Sequence, residues 1–196
     1  MHSLASVIKP ATVISDFFAH EDLIPTLAAA AGDPDLVQKA LKGATLNGKQ
    51  FKVHLDGYNL LPFFKGEVKE SPRKEFLYWS DDGDLMAIRV LKWKIAFMEQ
   101  HTEIGPNTPL GVWQGEFTKL RAPNIYNLRA DPFERGSTSI YYADWHVHRA
   151  FVLVPAQAFV AQWLETFTEF PPRAKAASFT VSDAMDKIMS ASKGSQ

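Results

Sequence analysis

The chain has 196 residues, 46% of them apolar and 22% charged, with a formal net charge of −1. That balance predicts a globular domain with a real core, not a disordered segment, and supplies no overall field for nucleic acid or an anionic membrane. The absence of cysteine excludes a disulfide framework and leaves the redox compartment open.

Residues 1–14 read as an extended lead-in. The start, Met1-His2-Ser3-Leu4-Ala5-Ser6-Val7-Ile8-Lys9, has neither a basic n-region nor a long apolar h-region, so no secretory signal is expected there and the compartment is undetermined. Phe18, Leu23, Leu27 and Ala30 recur at helical spacing from Phe17 to Ala31. Pro25 divides that pattern, and Gly32 supplies a stop. A short helix is expected over Pro34 to Leu41, with Asp33 as cap and Gly43 as terminator. Residues 44–55 read as loop or strand, with Phe51, Val53 and Leu55 alternating against Lys52 and His54. Leu60 to Phe64 reads as a helical turn.

A hairpin signal follows: strand Phe76 to Trp79, turn Asp81-Asp82-Gly83-Asp84, strand Leu85 to Val90. Leu91-Lys92 is a tight connection to a third strand, Trp93 to Met98. His101 to Glu116 is rich in Gly, Pro, Asn and Thr and reads as a surface loop. A fourth strand is expected over Asn124 to Leu128, stopped by Asp131-Pro132. Tyr141 to Phe170 reads as a long amphipathic helix that Pro155 kinks or splits. A weak helix, Ser182 to Met189, precedes a polar tail, 190–196, expected to be disordered. No run of eighteen apolar residues is present, so no membrane span is expected. The fold class is therefore α+β: a small antiparallel sheet of about four strands packed against a long C-terminal helix, with a helical N-terminal segment.

Several clusters invite a chemical reading. Asp144-Trp145-His146-Val147-His148 spells a zinc site if it lies on a strand, where alternate residues share a face. The segment reads as helical, and positions two apart on a helix diverge by about 200°. Asp81-Asp82-Gly83-Asp84 has the carboxylates for a hard cation, but a hairpin turn accounts for them without an ion. His20-Glu21-Asp22 reads as helix-start carboxylates favourable to the macrodipole and not as a proton-transfer site. His54 and Asp56 read as parts of a structural loop. His101, beside a Gly/Pro loop, is the histidine best placed to face a cleft. No GxSxG, P-loop, dinucleotide-binding glycine series or HExxH phrase occurs.

Five phrases in order nonetheless resemble a known family. They are Ile8-Lys9-Pro10-Ala11-Thr12; Ala19-His20-Glu21-Asp22-Leu23-Ile24-Pro25-Thr26-Leu27; Asp56-Gly57 with Leu60-Leu61 and Lys65-Gly66-Glu67; Arg89 with Trp93-Lys94; and Tyr126-Asn127-Leu128-Arg129-Ala130-Asp131-Pro132-Phe133-Glu134. Together they are similar to the carboxy-terminal region of an arylsulfatase-type sulfatase, in the alkaline-phosphatase-like superfamily. The resemblance implies a C-terminal subdomain of a formylglycine-dependent enzyme that hydrolyses sulfate monoesters with a calcium-class divalent cation. Complete members are often periplasmic or secreted.

The family's nucleophile phrase, C/S-x-P-S-R, does not occur in this chain. No catalytic or metal residue is carried over, and no cofactor is expected in the chain itself. The resemblance divides it into the lead-in 1–14, a segment 15–75 completing the edge of a catalytic domain, a sheet-plus-helix subdomain 76–189 and the tail 190–196. It implies a supporting role, with His101 and the loop Thr102 to Trp113, Trp113 in particular, as substrate-pocket rim candidates. The chain carries 5 Trp, 5 Tyr and 14 Phe. Burying one such ring is worth about 1.5–3 kcal/mol. A detached lobe should therefore dock a sulfatase catalytic domain or self-associate through exposed apolar surface. The alternatives are a stand-alone protein-interaction module and a small metal-binding protein using Asp144, His146 and His148.

Overall fold

The computed structural model describes residues 8–80, 82–101, 105, 110–111 and 115–171. The first elements are a 3-10 turn, His20–Asp22, running into helix α1, Leu23–Ala30. Pro25 sits in the first turn of α1, where its missing N–H costs no helical bond, so the proline helps start the helix instead of breaking it. Helix α2, Leu36–Lys42, begins after Asp35 and ends at Gly43 with φ 100°. Asp33, the expected cap, instead accepts a hydrogen bond from Lys39 at 2.6 Å.

The 44–55 segment opens with a hairpin: β1, Ala44–Leu46, pairs antiparallel with β2, Lys49–Phe51. Asn47 and Gly48 both take positive φ, 50° and 76°, which is the turn this dipeptide favours because its twist matches that of the strands. Helix α3 follows at Leu61–Phe64.

The second sheet has four antiparallel strands in sequential order: β3, Glu75–Trp79; β4, Leu85–Val90; β5, Trp93–Glu99; and β6, Thr118–Asn127. The first three lie where the hydrophobic pattern puts them. β6 is much longer than expected. Its register with β5 runs from Trp93↔Asn127 to Ala96↔Asn124 and resumes at Met98↔Lys119. Residues 120–123 thus stand opposite Phe97 alone, and this bulge takes Pro123 out of the regular ladder, which a proline cannot serve as donor. At the β4–β5 connection Leu91 has φ 52°, a left-handed value unusual for leucine. Its amide donates to the Lys74 carbonyl at 2.8 Å, and its carbonyl accepts from Arg89 Nε at 2.9 Å.

The expected long helix is divided. Helix α4, Tyr142–Val147, is followed by a 3-10 turn, Ala150–Val152, and then α5, Leu153–Glu169. Pro155 again falls in a first turn, that of α5. The run Ala150–Glu169 is long and apolar enough to cross a bilayer by length and composition alone, a test that a core helix also passes. The α+β class, the four-stranded antiparallel sheet, the long C-terminal helix and the N-terminal helices match the sequence reading. The expected helix Ser182 to Met189, the tail and Trp113 lie outside the described residues, as does Asp81 of the hairpin turn.

The described residues group into two compact units. One draws on 8–76, 89–92 and 154–171. Its fully buried residues include Asp22 and Leu60, and α5 is tied there by Lys52 to Glu169 at 2.7 Å and by ring contact of Phe170 with His54. The other draws on 77–88 and 93–153. Its centre is Ala87, Ala96 and Tyr126, packed by Tyr78, Leu120 and Leu128.

Candidate functional site

In the first unit the phrases around Asp22 and Gly57 meet. Asp22 is 1% exposed. Its carboxylate accepts Arg73 Nε and one of the Arg73 terminal nitrogens, both at 2.6 Å, and also the amides of Ala19 at 2.9 Å and Tyr58 at 2.7 Å. Burial works against the Asp22 charge, but the Arg73 fork and the two amides outweigh it and hold the carboxyl below its ordinary range. Glu21 touches the same guanidinium at 2.6 Å. Its own burial dominates, with repulsion from Asp56 and Asp22 adding to it, and the Glu21 carboxyl is pushed up.

Arg73 also donates to the carbonyls of Glu75 and Asp56 and stacks 4.9 Å over the Tyr58 ring. Burial, together with a hydrogen bond donated to Glu75, raises the Tyr58 hydroxyl. Thr26 completes the joint: its hydroxyl donates to the Tyr58 carbonyl and accepts the Leu60 amide. A Cβ on Gly57 would stand 2.0 Å from the Glu21 carbonyl oxygen, so only glycine fits this crossing of backbones. Asp22 is therefore a structural anchor and not the exposed, dipole-favouring carboxylate that the helix-start pattern suggests.

In the second unit a polar cluster forms at the end of β5. Glu99 Oε1 accepts Asn124 Nδ2 at 2.8 Å and the Tyr126 hydroxyl at 2.7 Å, while Oε2 lies 2.9 Å from His101 Nε2. Burial raises the Glu99 carboxyl, but the donors from Asn124, Tyr126 and His101 outweigh it and leave the group below its ordinary range. The Tyr126 hydroxyl, also 3.1 Å from Ser137 Oγ, is pushed up by burial and by Glu99. The His101 side chain is 77% exposed, so this rim candidate combines access to water with a fixed carboxylate partner. Glu99, Asn124 and Tyr126 were not singled out by the sequence. The only available signal was Glu99 standing two residues from His101, at the end of β5 where the chain leaves the strand.

The Tyr126 to Glu134 phrase builds a neighbouring wall. The Asp131 carboxylate accepts the amides of Arg135 at 3.0 Å and Gly136 at 2.6 Å. Glu134 chelates Lys94 Nζ at 2.7 and 2.8 Å, which joins this phrase to Trp93-Lys94. Between β6, the 130–141 segment and α4 lies an open pocket of about 330 Å³.

Asp144, His146 and His148 do not converge. His146 Nε2 lies 2.9 Å from the Pro123 carbonyl, an acceptor, so that nitrogen carries the proton; His148 Nδ1 turns to the Asp144 carbonyl at 2.8 Å. Among the described residues no group of three or more His, Asp or Glu is arranged to hold a metal. The chain has no cysteine and no C/S-x-P-S-R phrase, the residues from which formylglycine forms in the resembled family.

No protein-family model matches the chain, and no curated protein matches it. Among solved structures it is similar to the crystal structure of PsFucS1 sulfatase from Pseudoalteromonas sp., with a TM-score of 0.55 and 22% sequence identity. The match covers 79% of this chain and 26% of that one, so the chain spans about a quarter of the length of its neighbour. At this identity the likeness is one of fold: a sulfatase-like arrangement of sheet and helices.

Proposed function

We propose that this chain is the carboxy-terminal lobe of an arylsulfatase-type enzyme, supporting sulfate monoester hydrolysis whose nucleophile and divalent ion reside in a catalytic portion. The observation that carries this reading is the sulfatase-like fold, which aligns with most of this chain and with only a quarter of the sulfatase. The ordered phrases add support. Asp22, Thr26, Gly57 and Tyr58 form one joint, and Lys94 with Glu134 another, so these residues serve packing and not chemistry.

In this reading Glu99 and His101 line the rim of the substrate pocket, and no step of ester cleavage is assigned to this chain. The catalytic portion docks on apolar side chains left exposed around α1: Phe18, Leu23, Ile24 and Leu27. A stand-alone interaction module is the second reading, favoured by the exposure of Phe133, Ile140, Tyr141, Val147 and Phe151.

Extending the coding frame upstream of Met1 separates the two. An in-frame C/S-x-P-S-R phrase supports the sulfatase lobe, and its absence favours the module. The purified chain alone is expected to leave p-nitrophenyl sulfate intact; turnover that disappears on denaturation would refute the supporting role. Light scattering should show self-association that weakens in Ile24→Glu, and a monodisperse wild-type monomer would count against docking through α1.

A further inference from the structure

We propose that the pocket between β6 and α4 binds a small ring-bearing anion, with Arg149 taking the negative group and an aromatic wall taking the ring. This inference does not depend on the sulfatase reading. The pocket, about 330 Å³, lies at the small end of the range for small-molecule sites. Tyr126, Tyr141, Tyr142 and Trp145 line it together with Asp131 and Arg149.

The wall is fixed before any ligand arrives, which lowers the ordering cost of binding. The Tyr142 hydroxyl accepts the Ile125 amide at 2.8 Å and donates to the Ile125 carbonyl at 3.1 Å. Trp145 stacks on Tyr142 with centroids 5.7 Å apart and touches Trp93 at 6.3 Å. Tyr126 is anchored through its hydroxyl to Glu99.

Arg149 sets the sign of the ligand. Its guanidinium lies 4.6 Å over the Trp145 ring and gives one N–H to the Trp145 carbonyl at 3.2 Å. Among the described residues it has no carboxylate partner, and a guanidinium carries five N–H donors in a planar fork. The donors left over suit the paired oxygens of a sulfate ester, phosphate or carboxylate. Asp131, the acidic residue of the lining, does not compete for the cation. Both of its oxygens already accept backbone amides, from Arg135 and Gly136. The pocket therefore offers a rigid aromatic surface and one uncompensated positive group, a combination that discriminates for a ring and an anion in the same molecule.

Saturation-transfer NMR on the full chain tests this with four probes: phenyl sulfate, glucose 6-sulfate, phenol and methyl sulfate. At least one of the two ring sulfates is expected to bind saturably, and which one does identifies an aryl or a sugar ring as the preferred source. Phenol and methyl sulfate, each with half of the recognition, should bind at least tenfold more weakly. Arg149→Gln is expected to weaken the bound ring sulfate at least tenfold without moving the unfolding midpoint. Tyr141→Ala, at an exposed rim position, should weaken it about threefold. The proposal is overturned if neither ring sulfate binds, if methyl sulfate binds as tightly as the better of the two ring sulfates, or if Arg149→Gln binds like the wild type. The wild-type comparisons decide the matter even where a variant folds poorly. Failure here would leave the upstream-phrase test of the sulfatase reading untouched.

Discussion

Asp22 and Glu99 are both carboxylates held below their ordinary range against the opposing pull of burial, yet the means differ. Asp22 is sealed at 1% exposure and neutralised by a bidentate guanidinium plus two amides, all supplied by one unit. Glu99 leans on neutral donors, Asn124 and Tyr126, and on a histidine that faces water. In the first case every donor is committed to holding segments of chain together, so the charge serves architecture. In the second, one partner faces water and can be exchanged at small structural cost, which is compatible with the proposed rim role.

Arg73→Met sharpens this contrast most. It leaves the Asp22 charge buried without its partner and should destabilise by about 3–5 kcal/mol in a denaturant titration. Gly57→Ala strikes the same joint from the backbone side. The added methyl meets the Glu21 carbonyl, and a cost of about 1–3 kcal/mol is expected by the same measurement.

Acid tests both carboxylates together. Each is held below the unfolded value of about 4, so each favours the folded state above that pH and loses its contribution as pH falls through its folded value. Thermal midpoints should fall below pH 4, and Glu99→Gln should flatten only the smaller part of that limb.

Tyr126→Phe removes one donor from Glu99 while keeping the ring, for about 0.5–1.5 kcal/mol, again by chemical denaturation. His101→Ala is expected to stay within about 0.5 kcal/mol of wild type, because an exposed ion pair contributes little. A loss as large as that of Arg73→Met would erase the distinction between joint and rim.

The sequence made the sheet legible because short, largely apolar runs over Leu85–Val90 and Trp93–Glu99, the first preceded by the Gly83 turn, are a local signal. The Asn47-Gly48 turn is equally local, but the alternation over residues 44–55 reads only as loop or strand, and the hairpin there comes from the structure. The extent of β6 was not legible, since the bulge at residues 120–123 belongs to the pairing with β5 and not to β6 alone.

The main joint lay further out of reach. Asp22 and Arg73 are 51 residues apart, and nothing in the His20-Glu21-Asp22 spelling separates a buried anchor from a solvated helix start. Among the candidate residues, the exposure of His101 was legible because a Gly/Pro-rich neighbourhood shows in composition. Asn124 and Tyr126, the donors that hold its partner Glu99, arrive from another strand and only through folding.

Leu91 ties the β4–β5 bend to that joint. A leucine in a left-handed conformation gives its turn little tendency to form unaided, and here the support comes from the carbonyl of Lys74, the residue next to Arg73. In the folded chain the β4–β5 bend is therefore held in part by the segment that carries the buried arginine. Disturbing the Arg73 segment removes a support from a bend that leucine by itself favours little.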